Sequence, residues 1–464
     1  MTSFLKKALV ASLYALPVVF FLVCYFLITV SGEDILQGAG TAPHVLQDLV
    51  GAFRHNSRLS DMYAWAVVNF YDYQYSFGVD TIFRLIDTIM ATGMIYLLVN
   101  LMLGRRLKFQ LSDALLFAFS FLVIFLTPHG HVFYRGFSMI HNYLVIALAT
   151  LGFGLPFVRW ISGQKLPKVY QFWPFALLMG LIFGMSSNVA PIAFLITYLL
   201  IKCFRWWQGK SAKVWRLSKT ELALIIGMVL TLSIAYLFGP GVSSYAGNPV
   251  YTGTYDYVAF SDLGQNFFGS VVRLLKHFII NCGRTFGPIL VIWLGLLGVA
   301  VLFSRLKRQT FRLLPTSANQ RQLILVLLSF AIVYLGISSQ IIMPVRLCLP
   351  AYLGLIVITG LFWQTWWQPL LKSSALQTTL GIVMSLAIFA TILLRGYFAL
   401  DYRTQAEAVF QKIQASEETV VCVAYGEVVL REVPLLHFAQ EETFADWVIE
   451  AGLTVDGKTI QRCN

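Results

Sequence analysis

Residues 31–75 read SGEDILQGAGTAPHVLQDLVGAFRHNSRLSDMYAWAVVNFYDYQY, directly after the apolar run 8–30, ALVASLYALPVVFFLVCYFLITV. That contrast decides the fold class. Crossing about 30 Å of hydrocarbon takes roughly 20 apolar residues, and the run supplies them. The stretch behind it carries Glu33, Asp34, Asp48, Arg54, His55, Arg58, Asp61 and Asp72. Unpaired polar groups cost several kcal/mol each in hydrocarbon, so this segment belongs at one face of a membrane.

The composition agrees. Of 464 residues 58% are hydrophobic and 12% charged, against about 25% charged in a soluble globular chain. We expect an all-α polytopic membrane protein. The net charge of +12 sits in short clusters between apolar runs, which suits orientation signals and lipid headgroups rather than a nucleic-acid groove. Residues 8–30 exceed a signal-peptide h-region and lack an Ala-x-Ala site, and read as an uncleaved first span.

Apolar length places about eleven spans, near 8–30, 84–103, 111–127, 137–157, 172–188, 190–204, 221–239, 287–304, 322–340, 346–363 and 377–395. With the N-terminus inside, the short cytoplasmic segments hold twenty of the 34 Lys and Arg, and of the acids only Asp113 and Glu221 lie at their ends. Basic bias over short loops sets orientation. The N-terminus is therefore expected in the cytoplasm and the C-terminus outside. A transmembrane domain, 1–395, would carry outer loops 31–83, 127–136 and 240–286. A small extracytoplasmic α/β tail, 396–464, would follow, with a helix over 402–416, a strand over 419–425, an apolar stretch over 428–438 and a helix over 442–451. Trp206, Trp207, Trp363, Trp366 and Trp367 mark interfaces. Of six cysteines, Cys24, Cys203, Cys282 and Cys348 accompany apolar runs. Cys422 and Cys463 lie in the tail, where a disulfide between them is open.

The outer loops hold the candidates for chemistry. Glu33 and Asp34 come straight after the first span, placed to accept a proton or hold a divalent cation such as Mg2+ or Mn2+; partial desolvation makes a carboxylate a better base. A solvated helix end is the plainer alternative. In FRHNSRLSD (53–61), Arg54, His55, Arg58 and the third acid, Asp61, fall within two helical turns. Arg58 and Asp61 at i, i+3 pair on a surface, unless Arg58 faces a phosphate, which guanidinium geometry suits. His129, His131 and Arg135 in the second outer loop are available for substrate contact; His-x-His alone falls short of a zinc site. His141, Asn142 and Asn188 suit interhelical hydrogen bonds. Arg273, Lys276 and Arg284 follow helical spacing near the interface, with Lys276 in reach of a lipid-linked substrate. Arg346, between Pro344 and Pro350, needs an anionic partner, a carboxylate or a lipid phosphate. Arg84 and Asp87 are expected to neutralise each other. No Walker loop, GxSxG, HExxH or dinucleotide fingerprint is present.

The acid pair after the first span, the long outer loop with amphipathic segments, the Arg before a late span and the outer tail together resemble a known family. It is that of polyprenyl-phosphate-sugar-dependent glycosyltransferases of the C-type membrane fold, especially bacterial glucosyltransferases that decorate O-antigen lipopolysaccharide or cell-wall polysaccharide. Members often show two aspartates where this chain has Glu33 and Asp34, and Gly-Arg where it has Ser57 and Arg58. The resemblance implies a bacterial inner-membrane enzyme performing inverting hexosyl transfer, with glucose among the candidate sugars, from a polyprenyl-phosphate sugar to a polysaccharide acceptor at the outer face. Glu33 or Asp34 would deprotonate the acceptor, and Arg346 with Arg58 would stabilise the departing phosphate. The lipid tail would lie along apolar spans, and Tyr-rich 240–260 would stack on sugar.

Three rival classes remain, of which a non-enzymatic membrane scaffold is the plainest. A flippase for lipid-linked oligosaccharides implies repeats and polar residues at the midplane; the sequence has no internal repeat, and its ionisable residues crowd at the outer edge. A polysaccharide polymerase or ligase would lean on Arg and His of the large outer loops.

Overall fold

The computed structural model describes residues 3–27, 58–68, 80–133, 137–161, 168–209, 215–238, 258, 260–308, 311–343, 345–424, 454–455 and 458–463. Of the described residues 86% are helical. In chain order the helices are α1 (Ser3–Leu27), α2 (Leu59–Val68), α3 (Asp80–Leu103), α4 (Leu111–Leu126), α5 (Phe137–Ile161), α6 (Trp173–Gly184), α7 (Ala190–Gly209), α8 (Lys219–Phe238), α9 (Phe260–Gln265), α10 (Phe267–Leu306), α11 (Ala318–Ile337), α12 (Leu349–Trp366) and α13 (Ser374–Ala415). Each segment expected to span is helical. Seven helices, α1, α3, α7, α10, α11, α12 and α13, are long and apolar enough to cross a membrane. The helices α4, α5, α6 and α8 stand outside that set. With 16 and 12 residues, α4 and α6 rise only about 24 and 18 Å at the helical pitch, short of the hydrocarbon thickness.

Two helices are much longer than apolar length implies. The expected span 287–304 is the second half of α10, whose 40 residues continue through Pro288 without ending. The span 377–395 and the tail helix over 402–416 are one rod, the 42-residue α13. The linker RGYFALDY between them contains no proline and only one glycine, too little to stop a helix already propagating.

At the hub stands α12, buried along nearly all its length and packed by α11, α10, α3, α4 and α5. Apolar on every side, it can only be a core helix. Along α13 runs α1, which meets α4 through a cluster of aromatic rings: Phe20 stands 5.0 Å from Phe121 and 4.9 Å from Phe125. Between α6 and α8 the backbones touch. A Cβ at Gly180 would collide with the Leu224 carbonyl, and one at Gly227 with the Leu177 carbonyl. Gly184 meets Thr231 at the same offset, so the two helices run parallel through a small-xxx-small seam.

The end holding α1's first residues is stapled by short-range polar bonds. Arg105 forks onto Asp113 at 2.6 and 2.7 Å, and the Lys108 N–H and Gln110 Nε2 donate to the same carboxylate. Ser218 and Glu221 form a reciprocal capping box at the start of α8, with Glu221 also accepting from Tyr198.

Near the C-terminus β1 (Val420–Ala424), β2 (Thr454–Val455) and β3 (Lys458–Cys463) form a sheet of order β1-β3-β2. β1 pairs parallel with β3 in the register Val420↔Thr459, and β2 pairs antiparallel with β3. The strand expected over 419–425 is β1. Cys422 is disulfide-bonded, while Cys24, Cys203, Cys282 and Cys348 are free thiols. The segments expected over 428–438 and 442–451 lie outside the described residues.

Candidate functional site

The bundle end where α1 finishes and α3 begins, expected to face outward, gathers the buried polar side chains of four helices. Helix α2 docks there through its first turn: the Leu59 N–H donates to Met185 O at 2.6 Å and Ser60 Oγ to Ser186 O at 3.3 Å. Those carbonyls belong to the turn after α6, where helical partners have run out. Asp61, 6% exposed, faces inward. Its Oδ2 accepts from Arg58 Nε and Nη2, both at 2.7 Å, and its Oδ1 accepts from Asn142 Nδ2 of α5. The i, i+3 pair foreseen for Arg58 and Asp61 is present, yet it is largely buried and tied to a second helix.

One residue before Asn142, His141 points to α3. Its Nε2 lies 2.7 Å from Asp87 Oδ2, and both side chains are fully buried. Tyr63 of α2 covers the His141 ring at 5.3 Å. Arg84 donates from Nη1 to the Tyr25 carbonyl near the end of α1. Asp87 thus takes His141 as a partner, which spacing along α3 does not foretell. Consecutive residues of α5 therefore hold two acids on two different helices. The Arg58–Asp61–Asn142 and Asp87–His141 sets are adjoining parts of one polar layer.

The second half of the site is the break between α11 and α12. Residues 338–348 form 3₁₀ turns, Ser338–Gln340 and Val345–Cys348, around irregular chain. Backbone at membrane depth must find partners within the protein, and α10 supplies them. His277 Nδ1 donates to Ser339 O at 3.0 Å. Asn281 reads the chain as a strand would: Nδ2 donates to Ile341 O at 3.0 Å, and Oδ1 accepts from the Met343 N–H at 2.9 Å. Arg284 Nη1 donates to Met343 O at 3.0 Å, and the Tyr334 hydroxyl to Leu347 O at 2.7 Å. Arg346 sits in the turn so held.

The other expected residues divide. His129 occupies the 3₁₀ turn Pro128–Phe133, which packs on Val345–Cys348. It is fully buried, its ring stacked on Tyr352 at 4.0 Å and 7°. Gly130 in the same turn abuts the Ile124 carbonyl, leaving no room for a side chain. His131 follows in the turn. Lys276 is exposed on α10, one position from His277. Glu33, Asp34, His55 and Arg135 lie outside the described residues, as does nearly all of Tyr-rich 240–260. Among the described residues no three His, Cys, Asp or Glu side chains converge as metal ligands.

Sequence reasoning passed over the α10 clamp. A signal was there: Ser270, His277, Asn281 and Thr285 recur on one face of α10, and all four are buried. No family model, no curated protein and no solved structure matches this chain.

Proposed function

We propose that this chain is a membrane glycosyltransferase moving a hexose from a polyprenyl-phosphate carrier to a polysaccharide acceptor, with inversion, at the outer face of the bacterial cytoplasmic membrane. The observation that carries the reading is the polar layer at one end of the bundle. There Arg58, Asp61 and Asn142 form one bonded set and Asp87 with His141 another, while α10 clamps the break that leads into the turn of Arg346. Buried ionisable groups at a helix end are costly and mark work on a charged substrate.

In this reading the roles divide by what each group is free to do. The Asp61 oxygens are engaged by Arg58 and Asn142, so Asp61 orients Arg58 and leaves proton abstraction to Glu33 or Asp34. Arg58 and Arg346 supply positive charge as the carrier phosphate departs. A divalent ion at Glu33 and Asp34 would add charge at the same place. The topology that goes with this mechanism has eleven crossings, a cytoplasmic N-terminus and an extracytoplasmic tail. The Cys422 disulfide supports that tail placement, since disulfides persist in oxidising compartments. A flippase is less well supported: the sequence carries no internal repeat, which a transporter of that kind is expected to show.

The test uses full-length protein in nanodiscs with a radiolabelled polyprenyl-phosphate hexose and polysaccharide acceptor. Transfer by wild type is expected to fall at least about a hundredfold, the scale of a lost general base, in Glu33→Ala or Asp34→Ala. It should also fall in Arg346→Ala. Undiminished transfer in both acid variants removes the mechanism, and facilitated movement of the donor across the bilayer without transfer would favour the flippase.

A further inference from the structure

The part of α10 before His277 runs past the end of α11. His277 is level with the end of α11, because it bonds Ser339 two residues beyond Ile337. The residues from Phe267 to His277 therefore overhang by about 15 Å at the helical rise. An overhang bathed in water should be polar. This one exposes Phe268 at 81%, Val272 at 66%, Leu275 at 56% and Ile279 at 61%. At 100° per residue the four fall in a stripe about 60° wide. The stripe runs on through Phe286 and the exposed Leu290, where α10 crosses the membrane.

On one flank of the stripe come Lys276, Arg273 and Arg284, all exposed. They lie between the apolar residues and the buried face of Ser270, His277, Asn281 and Thr285, from which His277 and Asn281 hold the break after α11. The helix thus has three lengthwise zones: apolar, cationic and inward polar. The corner entering it is defined by Asn266, whose side chain caps the Gly269 N–H at 3.0 Å. A narrow apolar stripe bordered by cations is the pattern of a helix lying at a lipid interface.

We propose that residues 267–284 of α10 form an interfacial anchor for an anionic phospholipid surface, with Phe268, Val272, Leu275 and Ile279 among the acyl chains and Lys276 and Arg273 at the headgroup phosphates. Two features select lipid over a protein partner. The stripe is continuous with the lipid-facing side of the same helix, and its flanking charge is of one sign, complementary to phosphate. Because the opposite face of this segment grips Ile341 and Met343, its depth in the interface sets the position of the Arg346 turn. The anchor does not depend on the enzymatic reading.

The experiment places a nitroxide on Phe268→Cys in full-length protein carrying Cys203→Ser and Cys282→Ser; Cys24 and Cys348 are buried. Accessibility to oxygen and to an aqueous nickel chelate is compared in phosphatidylcholine nanodiscs and in nanodiscs of equal parts phosphatidylcholine and phosphatidylglycerol. The label is expected to favour oxygen in both, and the oxygen preference to rise with phosphatidylglycerol. Adding Arg273→Gln and Lys276→Gln should abolish that rise, since each interfacial cation is worth about fivefold in partition. Greater access to the nickel chelate overturns the proposal. So does protection from both reagents, which would mean a protein neighbour or a second copy on the stripe. An oxygen preference indifferent to phosphatidylglycerol overturns it as well, because the cations then contribute nothing.

Discussion

Asn142 donates a hydrogen bond to the carboxylate of Asp61 from 81 positions further along the chain. Asp61 in turn holds Arg58 by two bonds of 2.7 Å. This relationship fixes α2, the one described helix of the first long loop, to the membrane bundle. It also engages the Asp61 carboxylate with three donors, two from Arg58 and one from Asn142.

Removing the pieces of this cluster should cost unequal amounts. Asn142→Ala deletes one bond, about 1 kcal/mol. Asp61→Ala leaves Arg58, 19% exposed, without its counter-charge, and should cost about 2–3 kcal/mol. Thermal unfolding in detergent should rank Asp61→Ala below Asn142→Ala, and the Arg58→Ala/Asp61→Ala double variant should lose less than the sum of the two singles. Equal stability of Asp61→Ala and wild type would contradict the geometry.

The Asp87–His141 pair is more deeply buried, with side chains 1% and 0% exposed. His141→Ala abandons a buried carboxylate, at about 3–5 kcal/mol. Replacing both residues with leucine removes the charge along with its partner. The Asp87→Leu/His141→Leu protein is therefore expected to unfold at a higher temperature than His141→Ala alone. The reverse order would mean that Asp87 has other adequate partners.

Asn281 should be the keystone of the 338–348 break. Asn281→Leu strips partners from Ile341 O and Met343 N together. Cys348, fully buried, ends the same segment. Peptide-resolved maleimide labelling should find Cys348 protected in wild type and modified in Asn281→Leu, with Cys203 labelled alike in both. Continued protection of Cys348 would show that Tyr334 and Arg284 suffice to hold the turn.

Gly180 tests the parallel seam between α6 and α8. Gly180→Leu forces two backbones apart and should destabilise by about 1–3 kcal/mol or more, the usual cost of overpacking. Gly295→Leu is the control, because nothing lies within 4 Å of a Cβ there; its effect should stay within about 0.5 kcal/mol. Similar losses in both would place the strain somewhere other than the seam.

Some of this could be read directly from the chain. Apolar length and charge bias located every helix expected to span, since a segment that cannot pair its backbone in lipid has to be helical. The spacing of Arg58 and Asp61 announced their pair, because i, i+3 contacts are local. Length alone left the crossing open at α4 and α6, whose helices of 16 and 12 residues are shorter than the roughly 20 that a span takes. It also missed the overhangs of α10 and α13, because helices end at breakers rather than where hydrophobicity ends.

By itself the sequence determined a helical protein built for lipid, with its acids concentrated beyond one end of the bundle and a cation, Arg346, between two late helices. Tertiary structure alone decided the partners: His141 for Asp87, Asn142 for Asp61, Tyr352 for His129, and Asn281 for the backbone at Ile341 and Met343. Each joins residues about 50 to over 200 positions apart. Which acid meets which amide at such separations depends on the packing of whole helices, and no local spacing encodes it.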